Sequence, residues 1–115
     1  RDRSPSRGLG DVYKRQVANW AKTLANELGP YNITVNNILP GATNTGRLKE
    51  IINNKAQKLN LKESSIEKQM ADQVPLKRIA EPIEVANAVV FLASNKASYI
   101  SGINLPVDGG RTKSL

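Results

Sequence analysis

A helix, a stop signal and a short strand follow one another between residues 17 and 41, and this order constrains the fold more than any other feature. Gly29-Pro30 predicts the end of the helix. Ile33–Leu39 is rich in β-branched residues and is closed by Pro40-Gly41, which predicts a brief strand. A helix, a turn and a strand in this order form half of a βαβ unit. The apolar residues that recur at helical spacing before the stop are Val17, Trp20, Ala21, Leu24 and Leu28.

Two amphipathic helices are predicted after this strand. A polar turn, Ala42–Thr45, precedes a segment over Leu48–Leu59 whose apolar residues recur at helical spacing. Ser64 and Glu67 have the spacing of a capping box, which predicts the start of a third helix. Pro75 closes that helix in the prediction.

The last part of the chain predicts one apolar helix and one short strand. Pro82 stands where proline opens a helix, and the segment Pro82–Ser94 is apolar nearly all round, so we expect it to be buried on more than one side. Ile103–Val107 predicts a final strand, followed by a turn at Asp108–Gly110. The pattern as a whole predicts an α/β fold with about two parallel strands and four helices.

The first sixteen residues differ from the rest, because they are polar and basic and have no helical or strand periodicity. Asp11–Gln16 resembles one reading frame of the transposon end used in preparing sequencing libraries, so residues 1–16 are interpreted as a translated adapter or, alternatively, as an ordinary disordered tail. Neither interpretation predicts packed structure before about residue 15. The predicted organisation is therefore a tail over 1–16, a folded segment over 17–111 and a tail over 112–115.

The absence of certain residue types limits the chemistry. The chain contains neither cysteine nor histidine, which excludes disulfides, thiolate nucleophiles, Ser-His-Asp triads and metal sites built on either residue. At 115 residues there is room for one small domain. No run has the length of a membrane span or the pattern of a secretory signal, so a soluble, cytoplasmic protein is expected.

The net charge of +7 raises the alternative of a basic nucleic-acid-binding module. Residues 1–16 carry five basic and two acidic side chains, which accounts for +3 of that charge. The remainder is scattered, and no aromatic residues are interleaved with it as stacking platforms. We therefore interpret the charge as a solvated basic surface and expect neither nucleic acid nor a membrane as a partner.

Several stretches, taken in order, resemble the short-chain dehydrogenase/reductase family, and bacterial 3-oxoacyl-acyl-carrier-protein reductase-like members are the most similar. The stretches are Ile33–Gly41, Ala80–Pro82 with Glu84–Ala86 and Phe91–Ser94, and Ser98–Gly102 leading to Val107–Gly110. Their order and separations make the resemblance specific, and it extends from Val17 to Arg111. It implies that residues 17–111 are the C-terminal part of a Rossmann-type doubly wound parallel sheet.

The resemblance also implies a function for the complete protein. Such a protein interconverts carbonyl and alcohol groups, among them those of 3-oxoacyl thioesters, with NAD or NADP as cofactor. The partners implied are a small-molecule carbonyl or hydroxyl substrate and, in a homo-oligomer, further copies of the same chain as a dimer or tetramer.

The loop after the first predicted strand is the candidate cofactor site. Ligands of open parallel sheets bind beyond the carboxyl ends of the strands, where Pro40 and Gly41 lie. By the resemblance, Pro40, Gly41, Thr43 and Thr45 surround the nicotinamide end of the cofactor, and Gly41 allows a close approach. Thr43 would offer backbone groups to the carboxamide, and Thr45 would offer its hydroxyl to the carboxamide or a nearby phosphate. Alternatively, Thr45 only caps the helix that follows, although both roles can hold together.

The segment Leu48–Val74 corresponds, by the resemblance, to substrate-facing helices that close over the reactants. An apolar stripe on it is predicted either to contact an apolar substrate or to pack in the core. The stripe consists of Leu48, Ile51, Ile52 and Leu59.

The resemblance further implies a catalytic serine and a Tyr-x-x-x-Lys pair at the start of the first helix, in which the tyrosine transfers the proton. Counting back from Leu24 puts the lysine position at Lys14 and the tyrosine position at Gly10, which offers no acid. Tyr13 comes three residues too late. No catalytic residue is therefore assigned, and the chain is predicted to be inactive alone. The alternative functions are a non-catalytic dimerisation fragment and the basic module described above.

Overall fold

The chain forms an α/β fold in the computed structural model, which describes the backbone of residues 5–113 and the side chains of residues 15–113. Four α-helices and two parallel strands within this part confirm the predicted class. Short 3-10 turns cover Gly29–Tyr31 and Asn95–Ala97. The elements are α1 (Pro5–Leu28), β1 (Asn37–Pro40), α2 (Gly46–Leu59), α3 (Glu63–Asp72), α4 (Pro82–Leu92) and β2 (Asn104–Val107).

The fold divides into two compact units. Unit 1 comprises the described residues up to Asn37 together with Leu92–Leu105. In this unit α1 contacts the turn before β2, since a Cβ added to Gly102 would lie 3.0 Å from Cδ of Lys22. Unit 2 comprises Ile38–Phe91 and the described residues from Pro106 onward.

The two strands pair in parallel. In unit 1 the Asn37 N–H donates to the Ile103 carbonyl at 2.9 Å, and in unit 2 the Gly41 N–H donates to the Val107 carbonyl at 3.0 Å. From the first bond to the second, the residue number rises by four on both strands, as it must when the strands run parallel.

Strand β1 is shorter than the predicted Ile33–Leu39, because the residues before Asn37 bind the opposite segment through side chains. The Asn36 amide donates to the Ile100 carbonyl at 3.2 Å and accepts from the Ile103 N–H at 3.1 Å. The Val35 N–H donates to the Ser101 hydroxyl at 3.1 Å.

Helix α1 begins at Pro5, well before the predicted start at Val17. The backbone of residues 5–14 is thus helical, but the prediction that nothing packed precedes about residue 15 stays a prediction, because the side chains before residue 15 lie outside the described part, as do residues 1–4 and 114–115 of the predicted tails. The helix ends at Leu28, as Gly29-Pro30 predicted. The left-handed residue that reverses the chain is Asn32, with φ 62°, and not Gly29.

Helices α2 and α3 pack together around the core of unit 2. Four buried residues form this core, and Met70 and Ile79 pack against it. The capping box predicted at Ser64 is wrong, since α3 already begins at Glu63 and Lys62 stands at its N-cap without a side-chain hydrogen bond. The buried residues are Leu48, Ile52, Ala56 and Ile66.

Helix α4 begins at Pro82 as predicted and ends at Leu92. None of its eleven residues is buried, so the prediction of burial on more than one side is wrong for this chain. Ile83 is 62% exposed and Val90 67% exposed. Within the described part of the chain only two strands are present to cover an apolar helix, and much of the surface of α4 is exposed.

Within residues 5–113, no helix combines the length and the hydropathy that a bilayer span requires.

Candidate functional site

Gly41 begins the loop that follows β1, and its position leaves no room for a side chain. A Cβ added there would lie 2.7 Å from Cβ and 2.9 Å from Cα of Asp108, which follows β2. The close approach at this glycine in the structure is that of Cβ and Cα of Asp108, and the predicted approach of a ligand stays a prediction. A glycine is required here by the neighbouring turn, whatever the loop binds.

The turn after β2 is held by the Asp108 carboxylate. Its oxygens accept from the Gly110 N–H at 3.0 Å and the Thr112 N–H at 2.9 Å. Partial burial acts to raise the pKa of Asp108, but the hydrogen bonds from Thr112, Gly110 and Arg111 together lower it below its ordinary value. Because Gly109 and Gly110 have φ of +66° and +91°, the turn can bring the backbone back onto this carboxylate.

Backbone hydrogen bonds to Ala80 fix the middle of the loop. Thr43 and Ala80 form an isolated parallel bridge. The Asn44 N–H donates to the Ala80 carbonyl at 2.8 Å, and the Ala80 N–H donates to the Ala42 carbonyl at 3.0 Å. The Thr43 hydroxyl donates to the Gly41 carbonyl at 2.9 Å, so the loop is also tied to itself.

Thr45 ends the loop and caps α2. Its hydroxyl oxygen accepts from the Leu48 N–H at 3.2 Å, and its carbonyl accepts from the Lys49 N–H at 3.0 Å. The capping interpretation of Thr45 is therefore confirmed. The hydroxyl proton remains available for a further acceptor, and the N–H groups of Gly46 and Arg47, in the first turn of α2, have no partner within the helix.

All four residues predicted to bind cofactor line one cavity of about 520 Å³ in unit 2. Ala42 of the loop and helices α2 and α4 supply the rest of its lining, which is mostly apolar. The complete lining consists of Pro40, Gly41, Ala42, Thr43, Thr45, Arg47, Leu48, Ile51, Pro82, Val85 and Ala86.

The lining suits a flat aromatic ring that carries an amide. An apolar wall from α2 and α4 matches the faces of such a ring, and a pocket of a few hundred Å³ is typical of small-molecule sites. The hydroxyl of Thr45 and backbone groups of the loop supply the few polar contacts that fix orientation. The residues present therefore fit the nicotinamide end of NAD or NADP.

Pro82, Val85, Ala86 and Arg47 are cavity residues that the sequence did not predict. The first three have the i, i+3, i+4 spacing of one helix face, which was a usable signal. What the sequence lacked was the bridge from Thr43 to Ala80, which brings the start of α4 next to the loop.

The apolar stripe predicted on α2 serves two purposes. Leu48 and Ile51 line the cavity, while Leu48 also belongs to the core with Ile52. Leu59 does neither and is 55% exposed.

The remaining chemical candidates are few. Among the side chains of residues 15–113, no group of three or more Asp and Glu is placed to hold a metal ion. Gly10 and Lys14 both lie on α1, one turn apart, and the side chains of Tyr13 and Lys14 lie outside the described part.

Comparison with known proteins agrees with this fold. A sequence model of the family described as enoyl-(acyl carrier protein) reductase matches residues 3–112, a stretch that includes most of the adapter-like segment. The NADPH-dependent reductase BacG of Bacillus subtilis (strain 168) is 38% identical over 99 residues, which are 86% of this chain and 38% of that protein. The chain thus spans less than two fifths of the length of this relative.

Two crystal structures are similar over nearly the whole chain. A short chain dehydrogenase family protein from Francisella tularensis is 33% identical with a TM-score of 0.89, covering 97% of this chain and 46% of that one. L-sorbose reductase from Gluconobacter frateurii, solved with NADPH and L-sorbose, is 36% identical with a TM-score of 0.83, covering 90% and 40%. The two strands and four helices therefore match part of a Rossmann-type fold, and the chain belongs to the short-chain dehydrogenase/reductase family.

Proposed function

We propose that this chain holds the nicotinamide end of NAD or NADP, in a protein that interconverts carbonyl and alcohol groups of small molecules. The observation that carries the proposal is that Pro40, Gly41, Thr43 and Thr45 share a cavity with the apolar faces of α2 and α4. Family membership supports it, as does the NADPH bound to the similar L-sorbose reductase. A 3-oxoacyl thioester is the substrate that we propose first.

In this proposal the loop makes the polar contacts with the nicotinamide, and α2 and α4 make the apolar ones. When bound, the nicotinamide supplies or accepts a hydride. Backbone groups of Thr43 and the hydroxyl proton of Thr45 would orient its carboxamide, since the Thr45 oxygen is already engaged as an acceptor by the Leu48 N–H. Leu48, Ile51 and Val85 would exclude water beside the ring, which strengthens these polar contacts.

We further propose that the chain by itself does not turn over substrate. The position that the family resemblance assigns to the proton-donating tyrosine holds Gly10, and a glycine has no proton to give. Purified chain mixed with NADPH and an acetoacetyl thioester should show no NADPH oxidation above the background rate. Turnover above that rate would contradict this part of the proposal.

Binding is tested separately from turnover. Titration of the 15N-labelled chain with nicotinamide mononucleotide should shift the amide signals of Gly41, Thr43 and Thr45. Ala86→Phe places a ring in the cavity and should abolish these shifts, because the added volume occupies the proposed ring site. Asn87→Phe, one residue along the same helix and outside the cavity, is the matched control. Shifts that are absent in the wild type, or unaffected by Ala86→Phe, would refute the site.

We also propose that the complete protein is a cytoplasmic homo-oligomer. The exposed apolar surface of α4 supports association, because contiguous apolar patches on a soluble protein commonly mark interfaces.

A further inference from the structure

Arg47 is the single charged residue in the lining of the cavity at Thr45. It takes part in no salt bridge or side-chain hydrogen bond with any residue of the described part of the chain. Arg78 of the same unit shows the contrast, since both of its terminal nitrogens lie 2.7 Å from Glu84 oxygens. The guanidinium of Arg47 is thus available for a ligand.

The position of Arg47 in α2 is electrostatically unfavourable without a ligand. It lies in the first turn, where the N–H groups of a helix carry partial positive charge and acidic side chains are preferred. No acidic residue lies in that first turn. Glu50 lies three residues further on, within reach along the helix surface, but forms no salt bridge with Arg47 in the described structure. An anion bound at Arg47 would be stabilised by both the guanidinium and the helix end.

Arg47 also lies beside apolar cavity residues of its own helix. Ile51 is four residues away and therefore adjacent on the helix surface, and Leu48 is the next residue in the chain. Both line the cavity. A ligand that contacts all three would have an aliphatic body that ends in a negative group.

We propose that Arg47 is a specificity-determining residue that binds a carboxylate or phosphate on the substrate, while the aliphatic body and carbonyl of that substrate lie next to Leu48 and Ile51, in the part of the cavity that the nicotinamide leaves open. This inference rests on the proposed function, because the loop from Pro40 to Thr45 is assigned to the nicotinamide. The substrate class is therefore an oxo compound with an aliphatic chain and an anionic group. An arginine suits this role because its planar guanidinium binds carboxylate and phosphate through two parallel hydrogen bonds.

The test compares an anionic ligand with its neutral ester. The 15N-labelled chain is titrated with 3-oxohexanoate and with methyl 3-oxohexanoate, and the amide signals of Leu48 and Ile51 report binding. We expect the acid to bind about fivefold more tightly than the ester, the upper range for an exposed ion pair. Arg47→Gln should remove that preference, and Arg47→Lys should retain part of it. Lys49→Gln, on the same helix but outside the cavity, should leave it unchanged.

A second pair of ligands separates the substrate from the cofactor as the source of the anion. Nicotinamide mononucleotide and nicotinamide riboside differ by one phosphate, and Arg47→Gln should leave the ratio of their affinities unchanged. If Arg47→Gln alters that ratio and not the preference for the acid, the arginine binds the cofactor phosphate and the inference is wrong. It is also wrong if the wild type does not distinguish acid from ester while nicotinamide mononucleotide still binds. Failure of every ligand to bind would refute the proposed function and this inference together.

Discussion

The backbone of residue 41 has no room for even one methyl group. We predict that Gly41→Ala destabilises the fold by about 1–3 kcal/mol. The added methyl group would collide with Cα and Cβ of Asp108, and a side-chain rotation cannot move these two atoms away. Gly46→Ala is the control, since nothing lies within 4 Å of the Cβ added there. The free energy of unfolding in urea measures both. A Gly41→Ala chain as stable as the wild type would show that the Asp108 turn moves freely.

A second prediction at the residue scale concerns acid stability. The Arg78 guanidinium and the Glu81 N–H hold the pKa of Glu84 down to about 2, against an ordinary value of 4.5. A carboxylate with a lowered folded-state pKa stabilises the fold fully above its unfolded pKa, and this stabilisation is lost as the pH falls through the folded value. The Glu84 contribution should therefore decline between pH 4.5 and about 2.

Glu84→Gln removes that contribution at every pH. The melting temperatures of wild type and variant should differ at neutral pH and converge as the pH falls from 4.5 toward about 2. Glu50→Gln serves as the control, because Glu50 forms no salt bridge within the described residues. A constant difference across this range would contradict the assignment. The exposure of the Arg78–Glu84 pair means that the effect should be small and sensitive to salt.

Among the elements, α2 depends most clearly on one side chain at its start. Thr45→Ala should cost about 0.5–2 kcal/mol, because the Leu48 N–H loses its acceptor. Thr45→Ser keeps the hydroxyl and should retain most of the stability. Hydrogen exchange of the Leu48 amide measures the cap directly. We expect its protection to be lost in the alanine variant and kept in the serine variant. Equal protection in both would mean that the cap contributes nothing.

Elements whose limits are set by neighbouring residues in the sequence could be predicted, whereas elements whose limits are set by distant contacts could not. The end of α1, the segment of α2 and the start of α4 follow local signals, namely Gly29-Pro30, an apolar period and Pro82, and all three were predicted. The start of α3 was wrong because a capping-box spacing at Ser64 does not oblige the chain to use it. The limits of β1 depend on its partner strand more than sixty residues away, which no local pattern reveals.

The candidate site divides in the same way. The rule that ligands bind beyond strand ends indicated Pro40 and Gly41, and the family resemblance added Thr43 and Thr45; all four share one cavity. The contribution of α4 depends on the hydrogen bonds between the loop and Ala80, which are contacts distant in sequence. Arg47 was not predicted, because an exposed arginine on a helix is common. It becomes a candidate only when the structure shows that it lines the same cavity as the apolar residues Leu48 and Ile51.

For the molecule as a whole, the exposed apolar residues of α4 predict self-association. Val90 is 67% exposed on α4. Val90→Lys should lower the apparent mass in static light scattering at high protein concentration, because it places a charge on the apolar surface of this helix. Ser65→Lys, which adds the same charge to the exposed surface of α3, should not. A monodisperse wild-type monomer with a cooperative melt would contradict this prediction.

The asparagine amides beside the start of β1 have a consequence for assembly. Asn36 bonds to both Ile100 and Ile103, and the Asn37 amide bonds to the Asn104 side chain at 2.9 Å. If either segment slid by one residue along the other, all of these amides would lose their partners at the same step. Misaligned pairings of the two distant segments should therefore be less stable than the aligned one, which favours a single register.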